Sequence, residues 1–133
     1  MTERSEAETA EGLDRVLADL RALSEDIETC AVLSAERDLL SSSHAPGVDR
    51  ERVAAILAAL VSLSERLARE SGKGHISQLR VDAGGEHLLV VRLDDGGVLA
   101  ATTKTEARVG LVLYDMRNSR GEVEKVLAEG SDE

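Results

Sequence analysis

The apolar residues near the start of the chain follow a helical spacing. They recur about every 3.6 residues, which predicts an amphipathic helix from Gly12 to about Asp26. A second such pattern predicts a helix over 49–71, where Asp49 is a suitable N-cap and Gly72 ends the run. The stripe of this second helix predicted to face a sheet consists of Val53, Ile56, Leu57, Leu60, Leu63 and Leu67.

The segment ARVGLVLYDMR (107–117) holds the one tyrosine of the chain and has the Val/Leu content of a buried strand. Its apolar residues nevertheless fall at i, i+3, i+4 and i+7, which predicts a third helix, capped by Thr105. Gly110 costs this helix about 1 kcal/mol relative to alanine, so we expect it to allow close approach of another backbone. Tyr114 is predicted to be a packing residue near the helix edge rather than a binding or catalytic residue.

Short apolar segments with strand character lie between these helices. They predict strands at 27–34, 39–43, 75–81, 87–93 and 98–103. Gly84-Gly85 and Asp95-Gly96 predict two-residue hairpin turns, which need positive φ angles. With these turns, one face of the sheet carries Leu79, Val81, Leu88, Val90, Leu99 and Ala101. Both faces are substantially apolar, so a helix is predicted on each side.

Charge and composition exclude several classes of protein. The net charge is −10 and the chain has no Phe or Trp, which disfavours binding to nucleic acid and to anionic membranes. The longest apolar run, VAAILAALV at 53–61, is much shorter than the roughly 20 residues of a membrane span. One cysteine and a polar, acidic N-terminal segment predict a cytoplasmic protein.

The domain organisation predicted from composition is simple. Residues 1–11 read as a disordered acidic tail, 12–120 as one folded domain, and 121–133 as a short helical or disordered acidic extension. The length of the chain suits one domain with its own core.

The side of helix 49–71 opposite its predicted sheet-facing stripe carries no charge between Arg52 and Glu65. It consists of Ala54, Ala55, Ala58, Ala59, Val61 and Ser62. A helix face in water normally carries charged residues, so this face predicts an intermolecular seam. The alternative is an exposed face that is rich in alanine because alanine favours helices.

No arrangement of residues points to catalysis. His44, His75 and His87 are spread along the chain, and the sequence has no metal-binding spacing and no phosphate-binding glycine loop. Cys30 lies in an apolar strand, as a structural thiol does. Neither the serines at 41–43 nor the acidic pairs at 25–26 and 94–95 have an indicated partner. We therefore predict no enzymatic activity, no metal and no cofactor.

The order helix, two strands, long helix, three strands, helix resembles that of the roadblock family. AVLSAERDLLSSS is similar to the first hairpin of the family, and VLAATTKTEARVGLVLYDMR to its last strand and closing helix. The family includes dynein light chains and MglB-like bacterial partners of Ras-like GTPases. One departure is the first hairpin turn, where many relatives have a glycine and this chain has Glu36-Arg37-Asp38.

The resemblance implies an α+β fold, in which a five-stranded antiparallel sheet carries the first and last helices on one face and the long helix on the other. Family members dimerise through that long helix and the strand that follows it. The predicted dimer interface comprises Ala54, Ala58, Val61, Ser62, Glu65, Ile76 and Gln78.

The resemblance also implies a function. We expect a homodimeric, non-enzymatic adaptor that binds a small Ras-like GTPase and regulates its nucleotide cycle, as a GTPase-activating protein does. Arg50 and Arg52 are the predicted polar rim of the partner-binding surface, and an arginine-finger role is not expected of either. The alternative is a scaffold or signalling-complex subunit, for example with a sensor histidine kinase, that has no effect on GTP hydrolysis.

Overall fold

The structure, a computed structural model, describes residues 6–44 and 46–131, which form three helices and five strands. The helices are α1 (Glu6–Leu23), α2 (Arg50–Glu70) and α3 (Val109–Ser131). The strands are β1 (Ile27–Leu33), β2 (Leu39–His44), β3 (Gln78–Ala83), β4 (Glu86–Arg92) and β5 (Val98–Thr103). None of the helices in these ranges has the length and apolar content needed to cross a membrane.

The strands form one antiparallel sheet in the order β2-β1-β5-β4-β3. Helices α1 and α3 pack on one face and α2 packs on the other, because successive strand residues alternate between two cores. Val32 and Leu89 pack beneath α1 and α3, whereas their neighbours Leu33 and Val90 pack beneath α2. The predicted architecture is confirmed.

The β4–β5 turn differs from the predicted two-residue turn. The Leu93 N–H donates to the Gly97 carbonyl at 2.8 Å, and the Gly96 N–H donates to the Leu93 carbonyl at 3.1 Å. The loop between the paired residues therefore has three members, 94–96, with Gly96 at φ +94°. At the β3–β4 turn the prediction holds, since Ala83 pairs with Glu86 across two glycines of positive φ.

The extra loop residue reverses the predicted faces of β5. Val90 pairs with Ala100, so Ala100 faces α2. Leu99 and Ala101, which we predicted to share a face with Val90, pack beneath α1 and α3 instead. A shift of one residue in register moves every side chain of a strand to the other face.

Helices extend beyond the predicted domain bounds, 12 and 120, towards both ends of the described chain. Helix α1 begins at Glu6, so residues 6–11 are helical rather than part of a disordered tail; residues 1–5 lie outside the described ranges. Acidic residues such as Glu6 interact favourably with the positive end of a helix dipole. The predicted boundary at residue 12 therefore falls inside a helix.

Helix α3 likewise runs without a break through the predicted boundary at 120. Val123 is fully buried, and Val126 and Leu127 pack against the same core. Near the end of α3, Gly130 lies against Thr9 of α1. The segment 121–131 is therefore part of the folded core rather than an extension, and residues 132–133 lie outside the described ranges.

The start of α3 is capped by a distant carboxylate, and the prediction of Thr105 as its cap is wrong. Asp26 accepts a hydrogen bond from the Arg108 backbone N–H at 2.9 Å and another from Arg108 Nε at 3.2 Å. The backbone hydrogen bond, followed by the side-chain hydrogen bond, lowers the pKa of Asp26. The turn after α1 therefore fixes Arg108, the residue immediately before α3.

Two predictions about the outer side of α3 are also wrong. A Cβ added at Gly110 would meet no heavy atom of the described chain within 4 Å, so this glycine allows no close contact there. Tyr114 is 57% exposed and is not a packing residue. The helical period itself is correct, since Val112 and Met116 are buried on the opposite side.

Candidate functional site

Helix α2 has the ends that its sequence predicts. The carboxylate of the N-cap Asp49 accepts a hydrogen bond from the Arg52 backbone N–H at 3.2 Å. At the other end, the Ser71 N–H donates to the Leu67 carbonyl at 3.0 Å, and Gly72 follows with φ +72°. The helix is thus fixed in length, and its rotation about its own axis decides which residues a partner could meet.

That rotation differs from the predicted one, although Leu57 faces the sheet as predicted. The residues that face the sheet are Ala54, Leu57, Ala58, Val61, Glu65 and Ala68, all of them buried or partly buried. Ile56, Leu63 and Leu67, which we predicted to face the sheet, are exposed. Both sides are apolar between Arg52 and Glu65, so the apolar pattern did not distinguish them. The small side chains of Ala54 and Ala58 let the helix lie close to the strands.

The exposed apolar residues of α2 form a continuous row, which we call the α2 stripe: Ile56, Leu60, Leu63 and Leu67. Three of them are 59%, 64% and 69% exposed, and Leu60 is half-buried. Spacings of four, three and four residues are those of a helix–helix seam. Large apolar side chains adjacent on one surface mark an interaction site, in contrast to single scattered ones.

Charged residues border the α2 stripe at both ends. Arg50 and Arg52 are exposed in the first turn of α2. At the other end, Arg66 Nε contacts Glu70 Oε2 at 2.9 Å on the helix surface. The stripe therefore has an apolar centre and a polar rim, which is the usual composition of a protein–protein interface.

The predicted interface residues do not share one surface. Ala54, Ala58, Val61 and Glu65 face the sheet, and Ile76 packs against the same core. Ser62 is exposed on α2. Gln78 is exposed at the start of β3, where its side-chain oxygen accepts a hydrogen bond from Arg117 Nη1 at 3.1 Å.

Glu65 is the residue whose environment the sequence analysis missed. Its side chain is 7% exposed, and its Oε1 accepts a hydrogen bond from the Ile76 N–H at 3.1 Å. Arg37 Nη2 and Arg92 Nε each lie 3.7 Å from its Oε2, and His75 Nδ1 lies 3.5 Å from Oε1. The spacing of Leu57, Val61, Glu65 and Ala68 along one side of the helix was the available signal.

The potentially reactive side chains are dispersed. Burial raises the pKa of the Cys30 thiol to about 12, and its Sγ lies 3.6 Å from the Leu17 carbonyl oxygen. His87 Nδ1 lies 2.6 Å from Asp82 Oδ1, and hydrogen bonds from Arg80 and then His87 lower the pKa of Asp82. Within residues 6–44 and 46–131, no three side chains of His, Cys, Asp or Glu are placed so that they could hold a metal ion together.

A cavity of about 500 Å³ between α1, β2 and α3 offers little chemistry. It is lined by Glu6, Thr9, Ala10, Leu13, Asp38, Leu39, Leu40, Leu127 and Gly130. Glu6, Thr9 and Asp38 are the polar residues among them, and no histidine, cysteine or lysine accompanies them. The α2 stripe is therefore the best-supported functional surface of the described chain.

The sequence and the fold are both similar to those of known proteins. The Roadblock/LC7 domain family matches residues 13–103. The Roadblock/LC7 domain from Streptomyces avermitilis is 22% identical, with a TM-score of 0.76 over 86% of this chain and 96% of its own. No curated protein sequence matches the chain.

Two MglB proteins share the fold as well. Myxococcus xanthus MglB is 18% identical, with a TM-score of 0.75 over 96% of this chain and 92% of its own. The gliding protein MglB from Thermus thermophilus is 14% identical, with a TM-score of 0.79 over 91% of this chain and 92% of its own. The match over residues 13–103 covers most of the chain, which therefore belongs to the Roadblock/LC7 family.

Proposed function

We propose that the chain is a homodimeric, non-enzymatic adaptor that binds a small Ras-like GTPase and regulates its nucleotide cycle. The observation that carries the proposal is the α2 stripe, an exposed apolar row on a chain of the Roadblock/LC7 family. The similarity of its fold to that of MglB supports the choice of a GTPase as partner. We further propose a cytoplasmic location, in keeping with a single, buried, free cysteine.

A second copy of the chain is the occupant that we propose for the α2 stripe. Leucine and isoleucine at seam spacing suit a helix of the same kind. The border charges are also self-complementary, because Arg52 precedes the stripe and Glu70 follows it. In an antiparallel pair, Arg52 would face Glu70 of the partner subunit at each end, as a two-fold symmetric contact requires.

The revised helix orientation changes which interface residues we propose. Ile56, Leu60, Leu63 and Leu67 replace Ala54, Ala58, Val61 and Glu65, whose side chains face the sheet. Gln78 remains in the proposed interface through the backbone of the edge strand β3, because its side chain bonds Arg117 of α3 on the other face of the sheet. Ser62 is exposed on the flank of α2 and remains as well.

The GTPase would lie across the outer surface of the paired α2 helices. Arg50 and Arg52 lie at the N-terminal end of this surface and are exposed, so we assign them to its polar rim. Neither is proposed as an arginine finger, which would supply a factor of about 10³–10⁵ in hydrolysis. The adaptor would act by holding the switch loops of the GTPase in their active arrangement.

Single-turnover GTP hydrolysis by a Ras-like GTPase encoded beside this chain tests the proposal. Saturating wild-type protein should change the rate, and Leu63→Glu should abolish the effect. Arg50→Ala and Arg52→Ala should weaken binding modestly and leave the saturated rate nearly unchanged. A fall of about a hundredfold in the saturated rate for either variant would make that arginine a catalytic group.

The alternative function is a scaffold that binds its partners without any effect on GTP hydrolysis. It is favoured by a second exposed apolar pair, Leu111 and Tyr114, on the α3 side of the molecule. Such a protein could hold one partner on α2 and another on α3. Tight binding of the GTPase with an unchanged hydrolysis rate would support this alternative.

A further inference from the structure

Arg37 has a backbone conformation that residues other than glycine rarely adopt. Its φ is +72°, in the left-handed region, and Glu106 is the other such residue of the described chain. A strained backbone persists where the surrounding structure holds it, and such positions cluster at functional sites. The arginine side chain makes contacts that a glycine in this turn could not make.

The side chain of Arg37 connects three parts of the molecule. Its Nη1 donates to the Gly96 carbonyl oxygen at 2.9 Å, which ties the β1–β2 turn to the β4–β5 turn. Its Nη2 lies 3.7 Å from Glu65 Oε2 on the sheet-facing side of α2. Only 18% of the side chain is exposed, so its charge is held close to that carboxylate.

Glu65 links this cluster to the connection that leads into β3. Its Oε1 accepts the hydrogen bond from the Ile76 N–H at 3.1 Å, while its Oε2 lies 3.7 Å from Arg92 Nε. The Arg92 backbone N–H in turn donates to the Ser77 carbonyl at 3.0 Å. Ile76 is thus bonded to α2 and Ser77 to β4, immediately before β3 begins at Gln78.

A buried carboxylate is stable where opposite charges and hydrogen bonds compensate for the loss of water. Glu65 is the one buried charged residue of α2 in the described chain, and Arg37 and Arg92 provide that compensation. The cluster therefore fixes the position of the end of α2 relative to the start of β3. These two elements carry the α2 stripe and the sheet edge.

We propose that Glu65, Arg37 and Arg92 are positioning residues that hold α2 and β3 as one rigid surface for the second copy of the chain. The inference rests on the proposed dimer, to which it adds residues that do not touch the partner. Loss of the cluster would leave the apolar core of the domain intact. It would loosen residues 76–83, so that the α2 stripe and the β3 edge no longer meet a partner together.

The test compares Arg37→Gly with Glu106→Gly. Both substitutions relieve a positive φ, but Glu106 is exposed and lies outside the cluster around Glu65, so its variant is a matched control. Glu65→Gln is a second variant that keeps the shape of the side chain. Hydrogen exchange of residues 76–83 is measured in each variant, in a Leu63→Glu background that removes any protection by a partner.

We expect exchange in 76–83 to quicken by about fivefold or more in Arg37→Gly and Glu65→Gln, and by less than about twofold in Glu106→Gly. With Leu63 restored, the dimer dissociation constant should rise by about tenfold in the first two variants. Unchanged exchange in both would overturn the positioning role. If the wild type is a monomer while exchange still responds, the proposed dimer fails and the role of the cluster in ordering β3 stands.

Discussion

Gly97 and Gly110 occupy opposite environments at the scale of single residues. A Cβ added at Gly97 would lie 2.6 Å from the Leu33 carbonyl oxygen, whereas one added at Gly110 would meet open space. We expect Gly110→Ala to raise the free energy of unfolding by up to about 1 kcal/mol, through helix propensity. Gly97→Ala should lower it by about 1–3 kcal/mol, because the strands must separate.

Urea unfolding followed by circular dichroism measures both glycine variants against the wild type. The pair is informative because the chemical change is the same at both positions. A loss of stability in Gly110→Ala would mean that this part of α3 is buried, as the sequence pattern first indicated.

Asp26 gives the stability a dependence on pH. Its pKa in the folded protein is below the ordinary value of 3.8, so its contribution is present above that value and is lost as the pH falls below it. Asp26→Asn should therefore be less stable than the wild type at neutral pH, and the difference should shrink below pH 3.8. Thermal unfolding at a series of pH values measures this, and a constant difference would contradict the capping role.

At the scale of elements, α3 behaves as one helix rather than as a helix with an attached tail. Val123 is fully buried in the described structure, well beyond the residue 120 at which composition predicts the domain to end. We expect Val123→Ala to lower the free energy of unfolding by about 2 kcal/mol. Lys125→Ala, on the exposed side of the same turn, should change it by less than about 0.5 kcal/mol.

Equal urea midpoints for Val123→Ala and Lys125→Ala would contradict the continuous helix.

The sequence analysis missed this packing because Val123, Val126 and Leu127 are separated by acidic and basic residues. Three apolar residues among charges read as a solvated segment until the α1 surface beneath them is known.

The order of elements was predictable because it rests on local chemistry. Asp49 and the glycines after residue 71 define α2, and the paired glycines at 84 and 85 define the β3–β4 turn. The faces were not predictable to the same degree. One additional residue in the β4–β5 loop reversed β5, and an apolar pattern on both sides of α2 left its rotation undetermined.

At the scale of the whole molecule, the position of the candidate site depends on which side of α2 faces the sheet. The proposed interaction surface lies on α2, the helix that the sequence predicted, but on a different side of it, because Glu65 was assigned to the outer side and is buried. Its compensation by Arg37 and Arg92 depends on contacts between turns distant in sequence. Such contacts can be predicted only when the pairing of the strands is known, because no local sequence pattern indicates them.

The mass of the protein in solution is the most direct test of the α2 stripe as the surface for a second copy. Light scattering should give the wild type twice the chain mass of 14.2 kDa and give Leu63→Glu the single mass, with no loss of helical signal. Leu111→Glu, at an exposed leucine of α3, is the matched control and should stay dimeric. A monomeric wild type, or a Leu63→Glu variant that remains a dimer, would contradict the account.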